Sequence, residues 1–200
     1  MIFDLHVHTN HSLCSNMQID DIISRAQSRG LDGVCITDHN TMDVSRVITE
    51  GVQENGLCVL IGMEYETSDG DFLLFGPFED LPRGLNAINL LTFVEEKQGV
   101  AIGAHPCRDG RSLNEDILGE GGCLVIEGVN GRNSEMENRR VRNLTKLYPL
   151  FQCGGSDAHH LEELGRTATF FRDKISSCRE LISALKRGDY HPVGNIGNKL

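Results

Sequence analysis

No apolar run in this 200-residue chain reaches the length needed to cross a bilayer. Nothing at its start has the charged, apolar and cleavage parts of a secretion signal. Both absences point to no membrane partner and to a cytoplasmic protein. There is no Cys-x-x-Cys pair. The seven cysteines (Cys14, Cys35, Cys58, Cys107, Cys123, Cys153 and Cys178) are scattered and odd in number, so neither a disulfide framework nor a zinc ribbon is encoded. They read as reduced thiols, which again suits the cytosol. Basic charge is short. With 19 Lys and Arg against 29 Asp and Glu, the formal net charge is −10, and this argues against a protein that grips duplex nucleic acid by its backbone. Internal repeats and low-complexity tracts are missing too. Tryptophan is absent, and nothing follows from that.

What is present is an ordinary globular composition, 39% hydrophobic and 24% charged, in a length best read as one domain over 1–200. Short apolar runs alternate with helical patterns. Strands are expected at 2–5, 34–37, 58–61, 72–75, 100–103, 123–126, 150–153 and 167–171. Helices are expected at 19–29, 41–54, 85–98, 134–146 and 177–187, with a loose tail from Gly188 in which 191–193 would form an ordered edge at most. Alternation of this kind predicts right-handed parallel units in a barrel or a doubly wound sheet. Candidate ligands follow many different strands, and closing the sheet would bring those strand ends together. The expected fold is therefore α/β, a small distorted (β/α)7 barrel.

Those ligands carry the chemistry. His6 and His8, two residues apart in an extended chain, point the same way. His39, Glu64, His105, Asp157 and His159 come later, each close to the end of an apolar run. Imidazole and carboxylate suit zinc, iron or manganese. Seven donors exceed one ion's needs, so two or three divalent metal ions are expected, with Glu64 bridging. Such a cluster clamps a phosphoryl group and generates hydroxide near neutral pH.

The segments Asp4-Leu5-His6-Val7-His8-Thr9, Thr37-Asp38-His39-Asn40, Ala104-His105-Pro106 and Gly155-Ser156-Asp157-Ala158-His159 resemble, in order, the four motifs of the PHP (polymerase and histidinol phosphatase) family. The resemblance implies a distorted seven-stranded barrel, a di- or trinuclear centre and phosphoester hydrolysis. It implies His6, His8, Glu64 and Asp157 around a first metal, Glu64 and His105 around a second, and His39 and His159 around a third. Two positions depart from the family pattern. Leu13 stands where relatives carry Asp, leaving Cys14 as a substitute thiolate ligand. The segment Phe72-Leu73-Leu74-Phe75 lacks the histidine that relatives often supply, and Glu127 is a possible replacement. Arg108 and Arg166, with Arg132 behind them, are placed to meet a phosphate. His159 or Asp157 would help protonate the leaving group. The expected substrate is a small-molecule phosphate ester or a nucleotide end, with no duplex nucleic acid. The alternatives are a non-catalytic metal-binding module that supports a partner protein, and a hydrolase of another bond such as an amide.

Overall fold

The computed structural model describes residues 1–119 and 122–194. In chain order the elements are β1 (Ile2–Val7), α1 (Ile19–Ser28), β2 (Gly33–Ile36), β3 (Gly51–Val52), β4 (Cys58–Ile61), β5 (Met63–Thr67), β6 (Gly70–Phe75), α2 (Ala87–Glu96), β7 (Val100–Gly103), β8 (Val125–Asn130), α3 (Glu135–Leu147), β9 (Phe151–Gly155), β10 (Thr167–Phe171), α4 (Cys178–Arg187) and β11 (Tyr190–Gly194). The fold is mixed α/β. One sheet has the order β11-β10-β1-β2-β4-β3 and the other β5-β6-β7-β8-β9.

Neither sheet closes on itself by ladder pairing among the described residues, but they meet at two seams. Val7 bridges Ala158, and His39 bridges Glu64. At the first seam His8 N–H donates to Ala158 C=O and Ala158 N–H to His6 C=O. At the second, Glu64 N–H donates to Asp38 C=O and Asn40 N–H to Glu64 C=O. Between the sheets lies an apolar cluster that includes Leu5, Leu60, Leu73, Ile102, Val125 and Cys153. On two strands the face that feeds this cluster goes on to carry a polar residue, Asp71 beyond Leu73 on β6 and Glu127 beyond Val125 on β8. The two-residue period of a strand places such residues in line.

The all-parallel expectation holds only in part. β1 runs parallel to β2, β2 to β4, β7 to β8 and β8 to β9. β6 runs antiparallel to both β5 and β7, β10 to both β1 and β11, and β3 to β4. A two-residue hairpin turn joins β5 to β6, and it leaves no room for a crossover helix. The helix expected at 41–54 is absent. The segment forms one 3-10 turn, Asp43–Arg46, and then the short β3. Thr41, Val44, Val47, Ile48 and Thr49 are β-branched and disfavour a helix, and Gly51 takes a positive φ of 125°. The expected loose tail is in part a strand: β11 pairs with β10 from Phe171↔Tyr190 to Thr167↔Gly194. The remainder of that tail, 195–200, lies outside the described residues.

Glycine matters most at two places near the seams. Between β4 and β5, a Cβ at Gly62 would come within 2.4 Å of Leu74 O, so only glycine lets the chain break there and restart. At the end of β9, a Cβ at Gly155 would meet His6 Cβ at 2.5 Å and Glu127 Oε1 at 2.7 Å.

Candidate metal centre

The predicted donors converge. His6 Nε2 lies 3.3 Å from Glu64 Oε2 and 3.5 Å from Asp157 Oδ1. His8 Nε2 lies 3.4 Å and 3.3 Å from the same two oxygens. His39 Nδ1 is 3.1 Å from Glu64 Oε2, and His105 Nε2 is 2.9 Å from Glu64 Oε1. Glu64 therefore sits at the centre, with one oxygen toward His6, His8 and His39 and the other toward His105. Three donor groups fall within 4.8 Å internally: His6, His8 and Asp157; Glu64, Asp71 and His105; His8, His39 and His159.

Local structure fixes each donor. Glu64 is the second residue of β5 rather than a loop residue after β4. Asp157 and His105 both hold positive φ, 56° and 31°, a conformation costly for residues with a Cβ and found where a site demands it. Behind the donors stand buried carboxylates. Glu127 Oε1 accepts from His6 Nδ1 at 3.0 Å, and its Oε2 accepts from His105 N–H and from Asn130 Nδ2, each at 2.8 Å. Asp38 accepts from Thr9 N–H, Thr9 Oγ1 and Ser12 Oγ. Ser12 Oγ in turn receives His39 N–H at 3.0 Å and faces His8 Nδ1 at 3.3 Å. Asp4 accepts from Ser156 N–H and Oγ and from Gly165 N–H. Burial pushes the Asp4 carboxyl up to about 6 against those hydrogen bonds.

With the outer nitrogens of His6 and His8 so engaged, their Nε2 atoms face inward. His6 Nε2, His8 Nε2 and His39 Nδ1 are buried with no hydrogen-bond partner. Buried imidazole nitrogens without a hydrogen-bond partner, clustered on carboxylate oxygens, are costly unless a shared positive charge, a proton or a metal ion, meets them. The donor set therefore fits divalent metal. The ionisation pattern agrees. Burial resists charge on His6, but Asp157, Glu127 and Glu64 outweigh it and raise the imidazole well above its ordinary value. Burial likewise opposes charge on Glu64, while His6, His105 and His8 hold its carboxyl well below the usual range. Burial and the neighbouring His8 pull His159 down to about 4.

Several expected residues land elsewhere or play other parts. Cys14 is exposed and belongs to none of the three donor groups. Glu127 spends both oxygens on protein donors and orients His6 from behind. Arg166 is half-exposed and lies 3.6 Å from Glu163, turned to a surface ion pair. Arg108 is at the centre's edge: its Nη2 donates to Asp157 Oδ2 at 2.7 Å and to Asn130 Oδ1 at 2.9 Å, and its Nε to Asn133 Oδ1 at 2.9 Å. Arg132 Nη1 approaches His159 Nδ1 at 2.7 Å.

Sequence reasoning missed Asp71 and Arg111. Asp71 Oδ2 lies 3.6 Å from His105 Nε2 and occupies the place for which 72–75 offered no histidine. The signal was hairpin register. A turn over Ser68-Asp69 sets Asp71 opposite Glu66, and therefore on the face that carries Glu64. Arg111 Nη2 is 2.8 Å from both Asp71 Oδ2 and Glu66 Oε1.

Comparison with known proteins agrees with this geometry. The sequence profile described as PHP domain matches residues 4–184. The uncharacterized protein MJ1587 of Methanocaldococcus jannaschii is 31% identical over 152 residues, covering 70% of this chain and 86% of that protein. PsfC from Pseudomonas syringae shares the fold with a TM-score of 0.77 at 20% identity, covering 97% of this chain and 91% of PsfC. A Bifidobacterium adolescentis protein, provisionally assigned as a metal-dependent phosphoesterase, superposes with a TM-score of 0.68 at 19% identity over 98% of each chain. Endonuclease Q, solved with a 27-mer duplex that carries an abasic lesion at the active site, matches with a TM-score of 0.66 at 17% identity. That match covers 94% of this chain and 57% of the endonuclease. It overturns the exclusion of duplex nucleic acid. A protein of this fold is seen bound to a duplex, so net charge alone, an average over the whole surface, does not decide the partner.

Proposed function

This chain belongs to the PHP domain family, and on that premise we propose that it is a metal-dependent phosphoesterase acting on a small phosphate ester or a nucleotide end. The carrying observation is the set of buried, unpartnered nitrogens of His6, His8 and His39 gathered on Glu64. His6, His8, Glu64 and Asp157 would hold a first divalent ion; Glu64, Asp71 and His105 a second; His39 and His159, with His8 adjoining, a third. Zinc, manganese and iron all suit these donors. Divalent ions held by these residues would supply charge to a phosphoryl group and acidify bound water.

The chain's own residues do the rest. Glu127 and Ser12 turn His6 and His8 so that Nε2 faces the centre. Arg108 is fixed by Asp157, Asn130 and Asn133 with its guanidinium at the rim, where a phosphoryl oxygen would arrive. Neither Asp157 nor His159 is set up to donate a proton near neutral pH. Burial raises the Asp157 carboxyl, yet His6, His8 and Arg108 outweigh that and keep it far below the usual range. His159 is neutral near pH 7. No lysine stands among the donors, and this favours a phosphoester over an amide whose hydrolysis needs a carbamylated bridge. The intact donor set favours an enzyme over an inert supporting module.

We read the architecture as a heavily distorted seven-stranded barrel. β1, β2, the broken β4–β5 strand, β6, β7, β8 and β9 would form a ring completed at the two bridges, within a single domain. Among the described residues no helix is long and apolar enough to cross a membrane, and seven free cysteines suit a cytoplasmic setting. The decisive experiment pairs metal analysis with a screen of phosphomonoesters and phosphodiesters. His6→Ala and Asp157→Ala are each expected to lose metal and turnover while far-UV circular dichroism stays unchanged. Full turnover in either variant overturns the assignment.

A further inference from the structure

The chain is acidic overall, yet its basic residues are unevenly spread. From Arg139 to Lys146, α3 carries Arg139, Arg140, Arg142 and Lys146 and no acidic residue. Spacings of three and four residues put Arg139, Arg142 and Lys146 in one exposed row. Arg140, Asn143 and Leu147 form the adjoining row. Arg139 pairs with Glu135 at 3.3 Å, and Arg140 with Asp109 at 2.8 Å. Arg142 and Lys146 make no ion pair among the described residues.

This helix starts at the metal centre. Its cap residue Ser134 follows Arg132 and Asn133, which touch His159 and Arg108. Asn138 holds Asn130 through N–H and C=O, and Asn130 in turn holds Arg108 and Glu127. Two grooves continue outward from there. One of about 380 Å³ runs from Arg108 to Arg140 and Asn143. The next, of about 360 Å³, takes over at those same two residues and is lined by Arg142 and Lys146. Arg139 to Lys146 spans about 10 Å at 1.5 Å per residue, enough for roughly three phosphates of a stacked strand. Exposed Met136 and Leu147 flank the row and offer apolar contact to bases.

We propose that the exposed face of α3 is a track for a nucleic-acid strand leading away from the scissile phosphate, so that the substrate is an oligonucleotide end. This rests on the phosphoesterase reading for the cleavage and on the basic track for the length of the substrate. Arg108 meets the reacting phosphate; Arg142 and Lys146 meet phosphates further along.

The test uses a fluorescein-labelled, hydrolysis-resistant phosphorothioate strand of about ten nucleotides, with anisotropy read across a salt series. Arg142→Glu/Lys146→Glu is expected to weaken binding about tenfold or more. The milder Arg142→Gln/Lys146→Gln is expected to make the log–log salt slope shallower by about 1.4, for two lost phosphate contacts. Turnover of p-nitrophenyl phosphate stays within about twofold in both variants. Unchanged strand affinity in both variants overturns the proposal. So does equal competition by polyglutamate or by phosphatidylglycerol vesicles, which would mark an unspecific cation patch. If the wild type turns over no phosphate ester but binds the strand through α3, the hydrolase reading fails and the track stands.

Discussion

A single imidazole shows how much the neighbours decide. His6 and His159 share one side-chain chemistry and are pushed in opposite directions. His6 is held protonated by Asp157, Glu127 and Glu64 in spite of burial, whereas burial and His8 keep His159 neutral. A metal entering between His6 and Asp157 must expel the His6 proton, and one that engages His159 near pH 7 expels none. Cation uptake is therefore expected to release about one proton per molecule at the first site. Because that proton competes with the cation, affinity should fall about tenfold for each unit of pH lowered below the raised His6 value. Calorimetry in buffers of different ionisation enthalpy measures the release directly, and an affinity flat from pH 8 to pH 6 would refute the assignment. At this scale the sequence was informative about type and poor about partners. His6, His8, His39, His105, Asp157 and His159 announce themselves by residue type and motif. Glu127 and Asp71 are carboxylates of the same chemistry. What separates an orienting residue from a donor is which atoms their oxygens face, and that depends on strand register across long sequence gaps. Cys14 and Arg166 were placed by proximity along the chain, which ceases to matter once the loops turn outward.

Among the elements, α3 has the most explicit start. Ser134 Oγ accepts from Glu137 N–H, and Glu137 Oε2 accepts from Ser134 N–H, a reciprocal cap. Glu137 Oε1 also takes Asp109 N–H, at 2.9 Å, and so ties the helix to the loop that carries Arg108. The hydrogen bonds from Asp109 and Ser134 draw the Glu137 carboxyl down to about 2. A carboxyl more acidic when folded than when unfolded adds stability above about pH 4.5, and that contribution fades as the pH falls toward 2. Ser134→Ala is expected to cost about 1 kcal/mol, a drop of roughly 2–4 °C in Tm for a chain of this size, measurable by thermal unfolding at neutral pH. The bounds of α3 were legible to within a residue because its pattern is local, as were β4, β7 and β10, whose apolar runs have clear edges. The segment 41–54 misled because apolar residues at helical spacing sit there on β-branched side chains. The hairpin β5–β6 broke the expected alternation because strand direction is set by turn length, not by hydrophobic pattern.

For the molecule as a whole, the centre is a concentration of buried polar groups that the core does not compensate. Any cation bound there stabilises the fold by mass action, about 4 kcal/mol at a thousandfold excess over Kd. With 2–4 °C per kcal/mol for a chain of this size, Tm should fall by roughly 8–16 °C on treatment with a chelator and recover on adding manganese or zinc. A Tm indifferent to chelator would show that the donors hold nothing in solution. Net charge was the weakest whole-molecule guide. A value of −10 describes an average, while α3 from Arg139 to Lys146 carries four basic residues and no acidic one.

The two points where the sheets meet carry a last consequence. Val7 and Ala158 lie one residue from His8, His159 and Asp157, and His39 and Glu64 are donors themselves. The stitches that join the halves of the molecule are thus also the calipers that set donor spacing. Opening either one would spread the jaws of the site, and a bound ion would clamp both shut. In hydrogen–deuterium exchange the amides of His8, Asn40, Glu64 and Ala158 should slow together when metal is added, although they lie far apart in the chain.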